Sequence, residues 1–272
     1  MADVTMMTSP TNVSLSFLKL LAHDVRWHLL EALAESDRRV QELTESLQRP
    51  QNLISYHLRL LREGQIVNER HSSADGRDVY YSLDLDHLRM FYLESGQILH
   101  PALACTDSVK SKLLNQGETS IDGEGRENQL YRVLFLCTHN SARSQLAEAI
   151  LRENGGDLVE VFSAGSDPSE VHPLAVQAAA VMNIDISRQR SKHMDEFEGQ
   201  TFDYVITVCD KVRELCPVFP NDHKQIHWSI PDPTEAAGSQ AQQLQAFTQT
   251  ARVLTTRVSY LLLMMERRQQ RP

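Results

Sequence analysis

Long apolar runs are missing from this chain. The longest near its C-terminus, Tyr260-Leu261-Leu262-Leu263-Met264-Met265, falls far short of the roughly 20 residues that span a bilayer, and its neighbours place it on a helix core face. Met1 to Asn12 has neither a basic start nor an apolar stretch, so no signal peptide and no membrane partner are expected. Cysteine is scarce as well. Four in 272 residues do not make a secreted disulfide scaffold, and they fit thiols kept reduced for chemistry in the cytoplasm. Glycine and proline are few, at 11 and 10, beside 41% apolar and 23% charged residues, which is the composition of a soluble globular protein. Positive charge is also in deficit. The net charge is −9, and residues 1–105 carry 10 Lys and Arg against 14 Asp and Glu. A broad basic field for nucleic acid is excluded there, and any DNA affinity must come from a few placed arginines in a dimer.

At this length two ordinary domains are expected. Residues 14–47 repeat apolar groups at helical spacing: Leu15, Leu18, Leu21, then Val25, Leu29, Leu30, Leu33, then Val40, Leu43, Leu47. Asp24 and Asp37 stand where helices can begin. Pro50 interrupts the pattern, and a fresh helix is predicted from Gln51 to Glu63, ending at Gly64. Ile66-Val67 and Val79-Tyr80-Tyr81-Ser82-Leu83 flank a polar Asp75-Gly76 tip and predict a β-hairpin. A last helix over 86–103 is stopped near Pro101. Residues 104–129 are polar and Gly-bearing without sustained periodicity, which reads as a linker between a domain at 10–103 and one at 130–272.

Helix–turn–helix followed by a hairpin is a winged helix. Ser55-Tyr56-His57-Leu58-Arg59-Leu60-Leu61-Arg62-Glu63-Gly64 with Val79-Tyr80-Tyr81 closely resembles the ArsR/SmtB repressor family over about residues 13–103. The resemblance implies a homodimer through the N-terminal domain that binds operator DNA with a recognition helix near 51–63. Gln51, Asn52, Ser55, Tyr56 and His57 are then the candidate base or phosphate contacts, with Arg59 and Arg62 further along and Arg77 on the wing. His87 and His100 lie where some such relatives bind zinc, but their spacing departs from that pattern, and no metal site is expected. The cysteine pair of many arsenite sensors is absent from Val40-Gln41-Glu42-Leu43-Thr44-Glu45, and Cys105 is the sole thiol of this half. Three-thiolate arsenite capture within one such domain is excluded.

From 131 the pattern alternates: strand 131–136, helix 143–154, strand 158–162, helix 172–183, strand 203–208, a short strand near 224–228 and a long helix over 240–268. Such alternation predicts an α/β domain with a four-stranded parallel sheet. At the end of its first strand stands Cys137-Thr138-His139-Asn140-Ser141-Ala142-Arg143-Ser144, a C-x5-R-S loop between strand and helix. A loop so placed turns backbone N–H groups inward over a helix N-terminus and holds a tetrahedral oxyanion. Cys137 is expected as a thiolate nucleophile of depressed pKa, with Arg143 clamping two oxygens and Ser144 donating to the sulfur. Asp232, fixed between Pro231 and Pro233, is the candidate general acid.

The stretch Phe135 to Gln145, with Ser163-Ala164-Gly165, Val205-Ile206-Thr207-Val208-Cys209-Asp210, Cys216-Pro217 and His227-Trp228 ahead of Asp232-Pro233, resembles the low-molecular-weight tyrosine phosphatase fold. More closely still, it resembles arsenate reductases built on that fold. That resemblance implies roles for Cys137, Arg143, Cys209, Cys216 and Asp232: arsenate reduced to arsenite through a 137–209 and then a 209–216 disulfide, with no bound cofactor and thioredoxin as electron donor. The polar segment from Asp210 to Leu215 is expected to loosen so that the sulfurs meet. His139 stands where phosphatase relatives usually carry Gly, a position expected to need an unusual φ. Asn140, Glu148 and Ser163 resemble a monovalent-cation site of some such reductases, with Lys192 in place of its acidic residue. Three functions follow: a fused repressor and arsenate reductase, a regulator that only senses oxyanion or redox state, and a tyrosine phosphatase. Thr234 after Pro233, where phosphatases usually place Tyr, weighs against the last. If arsenic is sensed at all, the catalytic cysteines are the thiols left to sense it.

Overall fold

The computed structural model describes residues 10–74, 76–100, 103, 130–215 and 224–269. The chain divides into two compact units, one from the chain up to residue 126 and one from 127 onward, with 71–79 grouped with the second. The expected linker at 104–129, the stop at Pro101, and Cys105 and Cys216 lie outside the described residues.

The first unit contains α1 (Pro10–Leu21), α2 (Asp24–Glu35), β1 (Arg38–Arg39), α3 (Val40–Leu47), α4 (Gln51–Glu63), β2 (Val67–His71), β3 (Val79–Leu83) and α5 (Leu85–Leu99). The helical pattern of 14–47 is cut twice. His23 caps α2 by accepting the Val25 N–H at 3.2 Å. The second helix start expected at Asp37 falls three residues later, because Asp37 is buried and the chain runs extended through β1, antiparallel to β3 with Arg38 opposite Tyr81. At α3 the Glu42 carboxylate takes the Arg39 N–H at 2.8 Å. Leu29, Leu43, Ile54, Leu58, Leu61 and Ile66 are fully buried and form the core. Truncating any one of these leucines to Ala would cost about 2–5 kcal/mol. The three strands lie in the order β1-β3-β2. Asp84 caps α5 through the His87 N–H.

The second unit contains β4 (Tyr131–Cys137), α6 (Arg143–Gly155), β5 (Val159–Gly165), α7 (Pro173–Val181), β6 (Tyr204–Thr207), α8 (Asp210–Leu215), β7 (Gln225–His227) and α9 (Gln240–Gln269). Its four strands are parallel, in the order β5-β4-β6-β7. Helices cover both faces, which is why Val133 to Cys137 is one continuous buried run. From β4 the chain crosses first to β5 on one side and later to β6 on the other. The crevice beyond the carboxyl end of β4 is therefore a topological switch point, where open α/β sheets bind ligands. Cys137 is the last residue of β4, paired in register with Gly165. The segment 210–215, expected to loosen during the relay, is a short helix here and buries Val212. Among the described residues no helix is long and apolar enough to cross a membrane.

Candidate active site and nucleic-acid interface

The loop from Cys137 to Arg143 closes tightly on its own sulfur. The Asn140 N–H points at Cys137 Sγ at 3.1 Å, and Ser144 Oγ lies 2.9 Å from the same atom. Ser144 Oγ also accepts from Asn140 Nδ2 at 2.9 Å, which leaves its own proton free to face the sulfur. Ala142, at the N-terminus of α6, contributes no side-chain cap, so it leaves the first N–H groups of that helix without a bond from its own side chain.

Asn140 holds the loop together, and it takes the left-handed backbone, with φ of 46°. The unusual φ expected at His139 is thus found one residue later, where a short amide side chain tolerates it. Asn140 Nδ2 also donates to Ser163 Oγ at 2.8 Å, and Oδ1 accepts from Lys192 N at 2.8 Å and Gln145 Nε2 at 3.1 Å. Its carbonyl accepts from Ser191 Oγ and Gln145 Nε2. Outside the loop, the chain at 166–172 runs alongside and donates backbone N–H groups to the carbonyls of Cys137, Thr138, His139 and Ser141. Gly165 makes this approach possible, since a Cβ there would sit 2.4 Å from Thr138 O. Gln145, Ser191 and the 166–172 segment were not singled out from sequence. Their contribution is a backbone-directed brace, which carries no spacing signature.

The two ionised groups expected to work on substrate are bound to each other. Arg143 NH2 lies 2.5 Å from Asp232 Oδ2, and NH1 donates to the Ile230 carbonyl at 2.9 Å. Burial would raise the Asp232 carboxyl, but the Arg143 guanidinium, the Thr234 hydroxyl and N–H, and His139 together hold it below the usual carboxylate value. The thiol behaves otherwise than expected. Burial pushes Cys137 up and the Cys209 sulfur adds to this, outweighing the Ser144 hydroxyl, Arg143 and the Asn140 N–H. The depression read from the sequence is not met here, because burial and the neighbouring Cys209 sulfur outweigh the groups that lower it.

Cys209 is buried two residues past β6, with its sulfur 3.4 Å from Thr138 Oγ1. Cys137 and Cys209 are both free thiols. His139 is exposed on the outer lip, with Nδ1 3.0 Å from the Asp167 carbonyl, and Ser141 is half-buried. Glu148 takes a hydrogen bond from Ser163, a second from Arg152, and Lys192 Nζ at 3.3 Å. Among the described residues no cluster of three or more His, Cys, Asp or Glu side chains is arranged to hold a metal.

In the first unit, α4 presents Gln51, Asn52, Ser55, Tyr56, Arg59 and Arg62 on its exposed face. The Arg59 guanidinium lies over the Tyr56 ring, 5.5 Å from its centroid. Arg62 is paired with Glu69 on β2. His57 is a correction. It falls on the core face with Ile54, Leu58 and Leu61, is 4% exposed, and its ring lies tilted against that of His23 with centroids 4.4 Å apart. Burial first, then His23 and Arg26, push its imidazole pKa down. Its side chain is packed in the core and does not belong to the exposed face of α4. Arg77 is exposed between β2 and β3.

A buried cysteine in a C-x5-R loop at the switch point of a parallel sheet defines an oxyanion-handling α/β domain, here preceded by a winged helix. Residues 132–271 match the family model for low molecular weight phosphotyrosine protein phosphatase, and the chain belongs to that family. Residues 23–69 match the model for bacterial regulatory protein, arsR family, so the N-terminal unit carries an ArsR-family helix–turn–helix. An arsenate reductase of Halalkalibacterium halodurans is 38% identical over 115 residues, 42% of this chain and 83% of that protein. An arsenate reductase of Bacillus subtilis is 38% identical over 121 residues, 44% and 86% of the two chains. A solved structure described as an arsenate reductase in the phosphate binding state superposes with a TM-score of 0.45 at 30% identity, covering 50% of this chain and 98% of that one.

Proposed function

We propose that the second unit reduces arsenate to arsenite with its own thiols and that the first is a DNA-binding repressor module. The observation that carries the reading is Cys209. Hydrolysis of a phosphoester needs one cysteine, one arginine and an acid, yet a second buried thiol sits at the loop, 3.4 Å from Thr138 Oγ1. Two thiols supply the two electrons of arsenate reduction as they become a disulfide. The relatives named arsenate reductase point the same way.

In this reading the incoming oxyanion takes Arg143 from Asp232. Freed of that cation, Asp232 can hold a proton and pass it to the departing oxygen as Cys137 Sγ bonds to arsenic, releasing water. The Cys209 thiolate then attacks Cys137 Sγ. The S–As bond breaks with its electron pair left on arsenic, As(V) becomes As(III), arsenite departs and a 137–209 disulfide remains. Cys216 next attacks Cys209, freeing Cys137 as thiolate, and a dithiol donor such as thioredoxin reduces the 209–216 disulfide. This chemistry belongs in a reducing compartment such as the cytoplasm. The tyrosine phosphatase alternative is disfavoured by the loop's surroundings. The bordering segment Ser166-Asp167-Pro168-Ser169-Glu170-Val171-His172 has no Phe, Tyr or Trp to stack on an aryl group.

For the first unit, the exposed polar face of α4 and its Tyr56–Arg59 stack support groove reading. Exposed Leu15, Leu18, Met90, Tyr92 and Leu99 on α1 and α5 support a homodimer through those helices. The test is arsenate-dependent NADPH oxidation with thioredoxin and thioredoxin reductase. Wild type should turn over and Cys209→Ser should not; no arsenate dependence in wild type rejects the enzyme reading.

A further inference from the structure

Beside the relay thiol lies a buried polar cluster for which the proposed chemistry has no use. Asp210, immediately after Cys209, opens α8, and its side chain and that of His227 on β7 are both 0% exposed. Asp210 Oδ1 accepts from His227 Nε2 at 3.1 Å and from Ser229 Oγ at 2.9 Å. On the other side of the imidazole, His227 Nδ1 lies 2.8 Å from Thr207 Oγ1 at the end of β6. A neutral imidazole satisfies both contacts, with its proton on Nε2 toward Asp210 and Nδ1 accepting from the Thr207 hydroxyl.

A buried carboxylate–histidine pair is a poor way to gain stability, because desolvation offsets most of the attraction. Its location suggests another use. Thr207 and Asp210 bracket Cys209, so the cluster grips the backbone on both sides of that thiol. His227 and Ser229 flank the start of the 228–232 stretch, which also supplies the Ile230 carbonyl to Arg143 and ends in Asp232. One buried cluster thus ties the segment that carries the second thiol to the segment that carries the acid.

We propose that Asp210, His227 and Ser229 are positioning residues for the second thiol: they hold Cys209 against the oxyanion loop for its attack on Cys137. The proposal rests on the disulfide-relay reading. It places the main burden on the second chemical step, because oxyanion binding uses the loop, Arg143 and α6. Misplacing a reacting group by about 1 Å costs on the order of 10²-fold in rate, so the grip on Cys209 is large enough to measure.

The experiment uses the full chain, fully reduced, and three readouts: the single-turnover rate of 137–209 disulfide formation with arsenate, the affinity for inorganic phosphate, and the rate at which iodoacetamide modifies Cys209, followed by mass spectrometry. Asp210→Ala and His227→Ala should slow disulfide formation by about 10²-fold, leave phosphate affinity unchanged and speed Cys209 alkylation at least tenfold. Asp210→Asn, which keeps the acceptor for His227 and Ser229, should restore protection of Cys209. Ser229→Ala removes one donor only and, should the alanine variants fail to fold, must show a smaller slowing with phosphate affinity intact. Phosphate affinity falling in step with the disulfide rate, or Cys209 remaining as protected as in wild type, overturns the proposal. If wild type forms no disulfide with arsenate, the reductase reading fails by itself, and the alkylation comparison still decides whether the cluster holds Cys209.

Discussion

The two units solve recognition with opposite materials. On α4 the candidate contacts are exposed side chains at helical spacing, each anchored by its neighbours on the same surface: Tyr56 is 49% exposed and Arg59 rests on its ring. Around Cys137 the working groups are polar and sealed. Asn140, Ser144, Gln145 and Ser163 are 0% exposed, and Arg143 is 7% exposed. Reading a groove needs side chains that can conform to a partner, and their truncation leaves the fold intact. Holding a tetrahedral oxyanion for attack needs donors fixed before the substrate arrives, at the risk of burying polar atoms that must all be satisfied.

The largest effect that this contrast predicts is at Cys137. Cys137→Ser should lower arsenate turnover by about 10³-fold or more while thermal unfolding stays near wild type, since the hydroxyl can keep the Ser144 and Asn140 contacts. Residual turnover above a tenth of wild type would mean that another group is the nucleophile. Next comes Asn140→Ala, which removes one partner each from Ser163, Ser144, Lys192 N and Gln145. It should cost about 2–4 kcal/mol in denaturant unfolding. The matching Asn52→Ala on α4 should stay within about 0.5 kcal/mol. Equal effects at the two asparagines would break the comparison.

A third prediction concerns the Arg143–Asp232 pair. Asp232→Asn should bind inorganic phosphate about two- to tenfold more tightly by calorimetry, because the oxyanion then has no carboxylate to displace from Arg143. Weaker binding would contradict the competition. The same pair fixes a pH response. Because the Asp232 carboxyl is held below its ordinary value in the fold, its contribution to stability is present above the unfolded carboxylate pKa and is lost as pH falls through the folded one. Acid unfolding of wild type should therefore be steeper than that of Asp232→Asn.

How much of this was legible follows from the same contrast. Signals that repeat were readable: the apolar run of β4, the C-x5-R-S spacing, and the alternation that gives a parallel sheet. Signals that depend on where a backbone carbonyl happens to point were not. Nothing in the sequence of Gln145, Ser191 or 166–172 announces that they brace the loop. A Gly usual at the place of His139 in related loops points to a left-handed residue there, and the fold places it at Asn140, whose amide satisfies four partners from that conformation. His57 looked like a contact residue because it lies in the recognition helix, yet its spacing from Ile54 and Leu61 puts it on the core face. The polarity of segment 210–215 gave no sign of its secondary structure, and it forms a helix with Val212 and Asp210 buried.

On the nucleic-acid side the expected effects are smaller. Arg59→Ala should weaken binding to the protein's own promoter DNA by about 1–3 kcal/mol and, if Arg59 meets a phosphate, flatten the salt dependence by about one unit of slope. Arg62 is already committed to Glu69, so Arg62→Ala should move the slope less and instead cost under about 1 kcal/mol of stability. A larger loss of DNA affinity at Arg62 than at Arg59 would mean that the Glu69 pair opens on DNA and that Arg62 is the reader.

The smallest effect is an expected insensitivity, and it bears on how the sealed unit satisfies Glu148. That carboxylate belongs to a buried residue of α6, and Lys192 Nζ reaches its Oε2 at 3.3 Å while donating to the Arg190 carbonyl at 3.3 Å. Lys192 N also holds Asn140 Oδ1, so one residue supplies both a backbone brace for the loop and a cation for the acid behind it. We propose that the ammonium tethered there takes the role of a monovalent ion. Replacing NaCl by KCl at constant ionic strength should leave arsenate turnover unchanged in wild type. Lys192→Met removes the ammonium and keeps the backbone N–H, so it should lower turnover and leave a deficit that K⁺ relieves more than Na⁺. Strong K⁺ activation of the wild type would show that the ammonium does not occupy the ion's place, and that the buried side of the comparison depends on a bound ion as well as on its own side chains.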